Sequence, residues 1–283
     1  ARDMSSLSVR GRSAILSLLL LVVLLLAWHI ATAPKSVATP GMDPEYAKLL
    51  GLDAPKTDGL PTLAQMAGTA WKQLSNPFYD AGPNDKGIGI QLAYSLARVA
   101  VGFGLAALLA VPLGFLVGLS PVAYGALNPF IQILKPISPL AWMPLALYTI
   151  KDSGTSSIFV IFICSVWPML INTAHGVASV RREWLNVART LEAGTLRMAF
   201  RVILPAAAPT IVTGMRISMG IAWLVIVAAE MLVGGLGVGY FVWNEWNNLS
   251  LPNVIFAILM IGVVGMALDL AFGAVQRRVT YVE

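Results

Sequence analysis

Ionisable side chains are scarce in the long apolar runs of this chain, and those that occur there are the first candidates for chemistry. Arg98, Lys135, Arg216, Glu230 and Asp269 all fall within such runs. A charge at membrane depth is costly, so such a residue is a candidate for function or for an ion pair. Lys135 sits near the middle of a proline-broken run. It is either a functional cation or one half of a pair with an acid on another helix, Asp269 for example. Arg98 lies near the outer end of its run and could snorkel to the interface. These groups are scattered, and no nucleophile, base and orienting group stand together as an enzyme would need. Cys164 is the single cysteine and His29 and His175 are the only histidines. That set does not build a structural zinc site, and Cys164 reads as a small apolar side chain. His175 is expected to cap or pack at a helix end. No G-x-x-x-x-G-K-[ST] loop occurs, and the glycine-rich run 234–239 follows no strand pattern, so neither is a phosphate cradle.

The densest charge outside the N-terminal third is the stretch Arg181–Pro205, R-R-E-W-L-N-V-A-R-T-L-E-A-G-T-L-R-M-A-F-R-V-I-L-P. Five arginines (181, 182, 189, 197 and 201) face only Glu183 and Glu192. Trp184, Val187, Ala188 and Leu191 recur at helical spacing, which predicts a short amphipathic helix. Gly194 is expected to end it. A second short helix carrying Leu196, Ala199, Phe200 and Ile203 should follow and stop near Pro205. Charge alone leaves two readings open: a marker of the cytoplasmic side, or a knob for a soluble partner.

The elements that must hold these residues are membrane helices. The chain has 283 residues, 57% of them apolar and 12% charged, with a mean hydropathy of +0.76. A soluble domain carries about twice that charge. Continuous rather than alternating apolar runs favour helices over a barrel. The net charge of +5 is a topology signal, not a nucleic-acid footprint, because the arginines cluster beside apolar runs. Residues 1–13, with Arg2, Arg10 and Arg12, are expected as a cytoplasmic N-terminus. Residues 14–33 should form the first transmembrane helix. Ala31-Thr32-Ala33 resembles a cleavage site, but the run is long for a signal peptide. Residues 34–89 carry seven prolines, five lysines, six acids and no arginine, which fits an outer loop. Within it Leu60 to Leu74 keep helical period, with Pro61 at the start and Asn76-Pro77 at the stop, predicting an interfacial helix.

Residues 90–283 form the five-helix remainder. Spans are expected near 90–119, 122–148, 156–177, 202–233 and 254–275. Pro129, Pro136, Pro139 and Pro144 cannot all sit in one regular helix, so the span 122–148 should be kinked or broken. About six transmembrane helices with both termini inside put Arg181–Arg201 inside as well, in agreement with the positive-inside rule.

The run A-R-T-L-E-A-G…V-I-L-P-A-A-A-P resembles the cytoplasmic loop of ABC importer permeases that docks into the ATP-hydrolysing subunit. The family pattern is E-A-A, three residues, G, nine residues, then I-x-L-P. Registered on Leu204-Pro205, its glutamate falls on Asn186, its alanines on Val187 and Ala188, and its glycine on Glu192. The L-P end and the central alanine match; the acid and glycine positions do not, although Gly194 follows two residues later. From Ser95 onward the chain resembles the importer permeases for small oxyanions and sulfonates. The stretches N-P-F-I-Q-I-L-K-P-I-S-P-L-A-W-M-P-L-A-L-Y, I-C-S-V-W-P-M-L-I-N-T-A-H-G-V and A-W-L-V-I-V-A-A-E-M-L-V-G-G-L-G-V-G-Y-F-V-W-N are similar to the nitrate, nitrite and cyanate branch. A bicarbonate-transporting relative would look much the same.

The resemblance implies a type I ABC importer permease fold with a cytoplasmic coupling helix between helices 4 and 5, within residues 178–201. It implies two permease copies, two cytoplasmic ATPase subunits that bind ATP and magnesium, and an extracytoplasmic solute-binding protein in the bacterial inner membrane. This chain itself would carry no cofactor. Coupling would involve Glu183, Trp184, Asn186, Val187, Ala188, Arg189, Leu191, Glu192 and Gly194. Lys135, Trp142, Asn172, Arg216 and Arg98 are the candidates for the anion path. The alternatives are a secondary transporter, which should show inverted repeats, a membrane-embedded enzyme, which should cluster its titratable groups, and a channel.

Overall fold

The computed structural model describes residues 9–33, 60–82 and 85–280. Arg2, most of the expected cytoplasmic N-terminus and the outer-loop residues 34–59 lie outside the described residues. Apart from an isolated bridge between Asp80 and Lys86, the regular structure among the described residues is helical. The helices are α1 (Val9–Ala31), α2 (Leu63–Ser75), α3 (Ile88–Leu119), α4 (Pro121–Leu134) and α5 (Pro139–Ile150). They continue as α6 (Ser153–Ala178), α7 (Arg182–Thr190), α8 (Thr195–Val233), α9 (Val238–Asn247) and α10 (Leu251–Val279). Helices α1, α3, α6, α8 and α10 are each long and apolar enough to cross a membrane. The α4–α5 pair, bent by 91° between Leu134 and Pro139, makes a sixth when the two arms are counted as one span. Prolines explain that break. Pro139 opens α5 at the position where its missing N–H costs nothing, and it restricts Ser138 to extended backbone.

The chain divides into two compact units, residues 1–75 with 245–256 and residues 76–244 with 257–283. In the first, α1 is apolar on every side and its leucines are exposed all round, as lipid contact requires. The Trp28 indole N–H donates to the Pro61 carbonyl at 2.9 Å. Helix α2 starts on a reciprocal capping pair: the Thr62 amide donates to Gln65 Oε1 at 2.9 Å and the Gln65 amide to Thr62 Oγ1 at 3.3 Å. The Gln73 amide donates to Asn253 Oδ1, and Asn253 Nδ2 donates to Glu245 Oε2 at 2.7 Å.

The second unit is built on α3, α6 and α8. Small residues recur on α3 at every fourth place, Gly102, Ala106, Ala110, Gly114 and Gly118. Four-residue spacing puts them on one stripe, where a neighbouring backbone can approach closely. Helix α6 does so. A Cβ on Gly102 would stand 2.8 Å from Ile161, and one on Gly114 would stand 2.7 Å from Thr173. Asp152 caps α6 by accepting the Thr155 amide at 2.7 Å. That backbone bond is the first reason its carboxyl lies below the usual range.

Two expectations fail around residues 194–205. Gly194 does not end α7; it is the N-cap of α8, with an ordinary φ of −59°. The chain instead leaves α7 through Glu192, in the left-handed region at φ 53°. Pro205 ends nothing either. The helix runs unbroken over Thr195–Val233, and the accommodation comes one turn earlier, where Ala199–Ile203 form a π turn. A proline lacks an amide hydrogen and crowds the carbonyl four residues back, so a wider turn before it relieves both faults.

Candidate functional site

The charged stretch becomes a short helix with a rooted face and a free face. Ala188 is buried, and Leu185 and Met198 pack on a core of Val177, Ile203, Ala207 and Ile211. The adjoining part of the same apolar side of α7 is exposed. Trp184, Val187 and Leu191 project from it, and Leu196 and Phe200 continue the patch onto α8. Arg181 stacks 5.5 Å from the Trp184 ring, which presets that indole. Glu183, Asn186, Arg189, Glu192 and Gly194 are all exposed around this patch. An apolar face on a loop helix is half of a contact.

The second feature is a cleft of about 480 Å³ between α3, α4 and α6. Lys135 lines it at the C-terminal end of α4, together with Gln132, Asn128 and Tyr124. The rest of the wall is apolar: Val117, Ile131, Pro136, Leu170, Ile171 and Ala174. Lys135 is exposed to the cleft, and its side chain makes no ion pair or hydrogen bond among the described residues. A second cleft of about 420 Å³ shares Val117, Tyr124, Ile171 and Ala174 with the first and reaches His175 and Ala178. His175 is therefore exposed on a cleft wall rather than packed. Trp142 and Asn172 are half-buried, and neither lines these clefts. The Asn172 amide is occupied with the Pro168 carbonyl at 2.8 Å.

Of the two readings of Lys135, the pair with Asp269 does not form, because Asp269 is engaged elsewhere. Arg216 holds it through both nitrogens of one edge, Nε at 2.6 Å and Nη2 at 2.5 Å, and donates to Gln276 at 3.2 Å. That fork is the geometry guanidinium and carboxylate share, which a lysine cannot make.

Arg98 does not snorkel. It turns inward to Glu230, which is 1% exposed, and donates to it at 2.8 Å. Ser95 Oγ donates to the same carboxylate and accepts the Val238 amide at 2.9 Å. The Gly239 amide donates to Glu230 at 3.0 Å, the Gly237 amide to Gln91 Oε1 at 2.7 Å, and Arg98 also donates to the Leu236 carbonyl. The glycine-rich run is therefore a turn clamped onto α3 by a carboxylate. A Cβ on Gly237 would fall about 2.1 Å from the Glu230 carboxylate, so only glycine lets the two meet. Sequence reasoning found Glu230 and the glycines separately and missed their union. It also missed α9 and the polar side of α4. The four-residue spacing of Tyr124, Asn128 and Gln132 was the available signal for the latter.

Three comparisons with known proteins bear on these features. Residues 110–281 match the family described as binding-protein-dependent transport system inner membrane component. Nitrate import permease protein NrtB of Synechocystis sp. is 45% identical over 210 residues, covering 74% of this chain and 76% of that one. Bicarbonate transport system permease protein CmpB of the same organism is 42% identical over 207 residues, covering 73% and 74%. A chain from the inward-facing MetNI methionine ABC transporter superposes with a TM-score of 0.62 at 15% identity, covering 69% of this chain and 96% of that one. The type I importer fold is therefore shared.

Proposed function

Because this chain belongs to the family of binding-protein-dependent transport system inner membrane components, we propose that it is the permease subunit of an ATP-driven importer of nitrate or a closely similar small oxyanion. Two copies would form the membrane channel, with two cytoplasmic ATPase subunits below and a solute-binding protein outside. ATP and magnesium would be held by those ATPases. Family members are transport components of the inner membrane rather than enzymes. Both termini and the Arg181–Arg201 stretch would lie in the cytoplasm, on the side their arginines favour.

The observation that carries the reading is the exposed apolar face of Trp184, Val187 and Leu191 on a helix rooted by Ala188 and Leu185. A knob of that kind transmits force only if its root is stiff and its face is occupied by a partner. ATP binding would close the ATPases, and α7 would carry their motion into α6 and α8. The pair would alternate between inward-open and outward-open states because the partners' affinity differs between them. Glu183, Asn186, Arg189, Glu192 and Gly194 would rim the contact. In the path, Lys135 supplies the cation. Arg216 and Arg98 are held by acids and would act by shaping the helices, while Trp142 and Asn172 would support the cleft from behind. Bicarbonate is the second reading, favoured by the 42% identical relative.

The test is ATPase activity of the assembled complex in liposomes with its binding protein, titrated with nitrate, bicarbonate or a sulfonate. Stimulation and anion accumulation with nitrate are expected. Stimulation by bicarbonate or a sulfonate alone would replace the substrate, and purification with no associated ATPase would sink the importer.

A further inference from the structure

Helix α4 has two faces that a membrane span does not need unless one of them meets something polar. Successive residues turn by about 100°, so Tyr124, Lys135, Asn128 and Gln132 fall within an arc of about 80°. All four line the same cleft. The opposite side holds Val122, Phe130 and Ile133, all exposed and apolar. A polar face at membrane depth survives only where water, protein or a ligand meets it. Lys135 marks one end of the row: α4 is 14 residues long, which puts Lys135 about 21 Å along the helix from its first residue.

We propose that Tyr124, Asn128, Gln132 and Lys135 form a donor ladder on α4 that binds a small monovalent oxyanion and hands it along the two joined clefts to His175. The proposal rests on the importer reading and names the residues that carry the anion in it. The rungs rise by about 4.5, 6 and 6 Å along the helix, and an oxyanion hydrogen-bonded at about 2.9 Å on each side spans such a step. Lys135 supplies the one full charge, while the carboxamides and the phenol supply donors without charge. Such a row strips hydration without holding the ion tightly, as conduction requires. No carboxylate lines either cleft, so nothing there repels an anion. The Gln132 amide reaches Asn128 Oδ1 only at 3.5 Å, the outer limit of a hydrogen bond, and leaves its second N–H for a ligand.

The test uses the full reconstituted complex in a Cys164→Ala background, with Gln132→Cys, Asn128→Cys or, on the opposite face, Phe130→Cys. Each is labelled with an anionic methanethiosulfonate in excess nitrate or in gluconate at equal ionic strength. Nitrate should slow labelling at positions 132 and 128 by at least about threefold and leave position 130 unchanged. Gln132→Leu should lower nitrate flux about tenfold. Equal labelling in both salts at 132 and 128, or equal protection at 130, overturns the ladder. Nitrate-stimulated ATPase activity in the Cys164→Ala complex reports the importer reading separately. Stimulation without protection overturns the ladder alone, and absence of stimulation overturns the importer reading and the ladder with it.

Discussion

Glu230 accepts hydrogen bonds from Ser95, Arg98 and Gly239 and is almost wholly buried, whereas Lys135 lies in an open cleft with no partner for its charge among the described residues. Both are single charges within apolar helices, so the membrane penalises each. They differ in what compensates them. Around Glu230 the protein closes the account itself, with an arginine and a serine from α3 and the Gly239 amide of the glycine turn. The result is a fixed joint between α3, α8 and the turn leading to α9. Beside Lys135 the compensation is left to something that comes and goes. A closed network gives stiffness, and an open one gives occupancy by a passing ion. The Arg216–Asp269 fork lies between these extremes, paired but partly exposed at 39% and 53%.

The largest effect should come from breaking the closed side. Arg98→Met leaves the Glu230 carboxylate buried without its cation and should cost about 3–5 kcal/mol, lowering the thermal midpoint of the detergent-solubilised protein or preventing assembly. Adding Glu230→Gln keeps acceptors for Ser95 and Gly239 while removing the stranded charge, so the double variant should recover most of that loss. If the double variant is no better than Arg98→Met, the pair is not what holds the turn.

Next is the open side, where the expected signature is inverted. Lys135→Met should change the unfolding midpoint by no more than the equivalent of about 0.5 kcal/mol, since no contact is lost. Anion flux in the assembled complex should nevertheless fall at least about tenfold, through loss of a charge-assisted bond to the ion. A large stability loss with normal flux would make Lys135 a structural residue and erase the contrast. Arg216→Lys sharpens the middle case: one point charge replaces a two-pronged fork, and a small loss of stability, less than at Arg98 and further reduced by high salt, is expected in the unfolding midpoint.

The smallest effect concerns the exit from α7. Glu192 holds a left-handed conformation that costs a side-chain-bearing residue about 1 kcal/mol. Glu192→Gly should relieve it and raise the midpoint slightly, the greater freedom of glycine in the unfolded chain offsetting only part of the gain. The position is also where the importer loop pattern carries its glycine. A destabilised Glu192→Gly protein would show that the Glu192 side chain, rather than its backbone shape, is what the turn needs.

How far the sequence reaches is clearest from particular stretches. Hydropathy marked the spans because twenty apolar residues have few other fates, and the prolines at 129, 136, 139 and 144 announced the broken α4–α5 span. Trp184, Val187, Ala188 and Leu191 announced α7 by spacing alone. Local chemistry misled at Gly194 and Pro205, where the obvious breakers broke nothing. The backbone needs there were met by Glu192 and by the π turn at Ala199–Ile203, choices that depend on how α7 and α8 dock on Val177 and Ile211.

Pairing was the deeper gap. Residues 95 and 98 meet residue 230 across more than 130 positions of chain, and residue 216 meets 269 across 53. Nothing in one sequence ranks Asp269 as a partner for Arg216 over Lys135, because ion pairs are set by distance and direction, not by order along the chain. The sequence by itself determined an all-helical membrane protein, its broken span, its amphipathic loop helix and the short set of charges that matter. Tertiary packing decided which of those charges are spent holding helices together and which one is left facing an open cleft. The reason is physical: helix periodicity and hydropathy are local properties, whereas the cost of a buried charge is settled only by what packing places beside it.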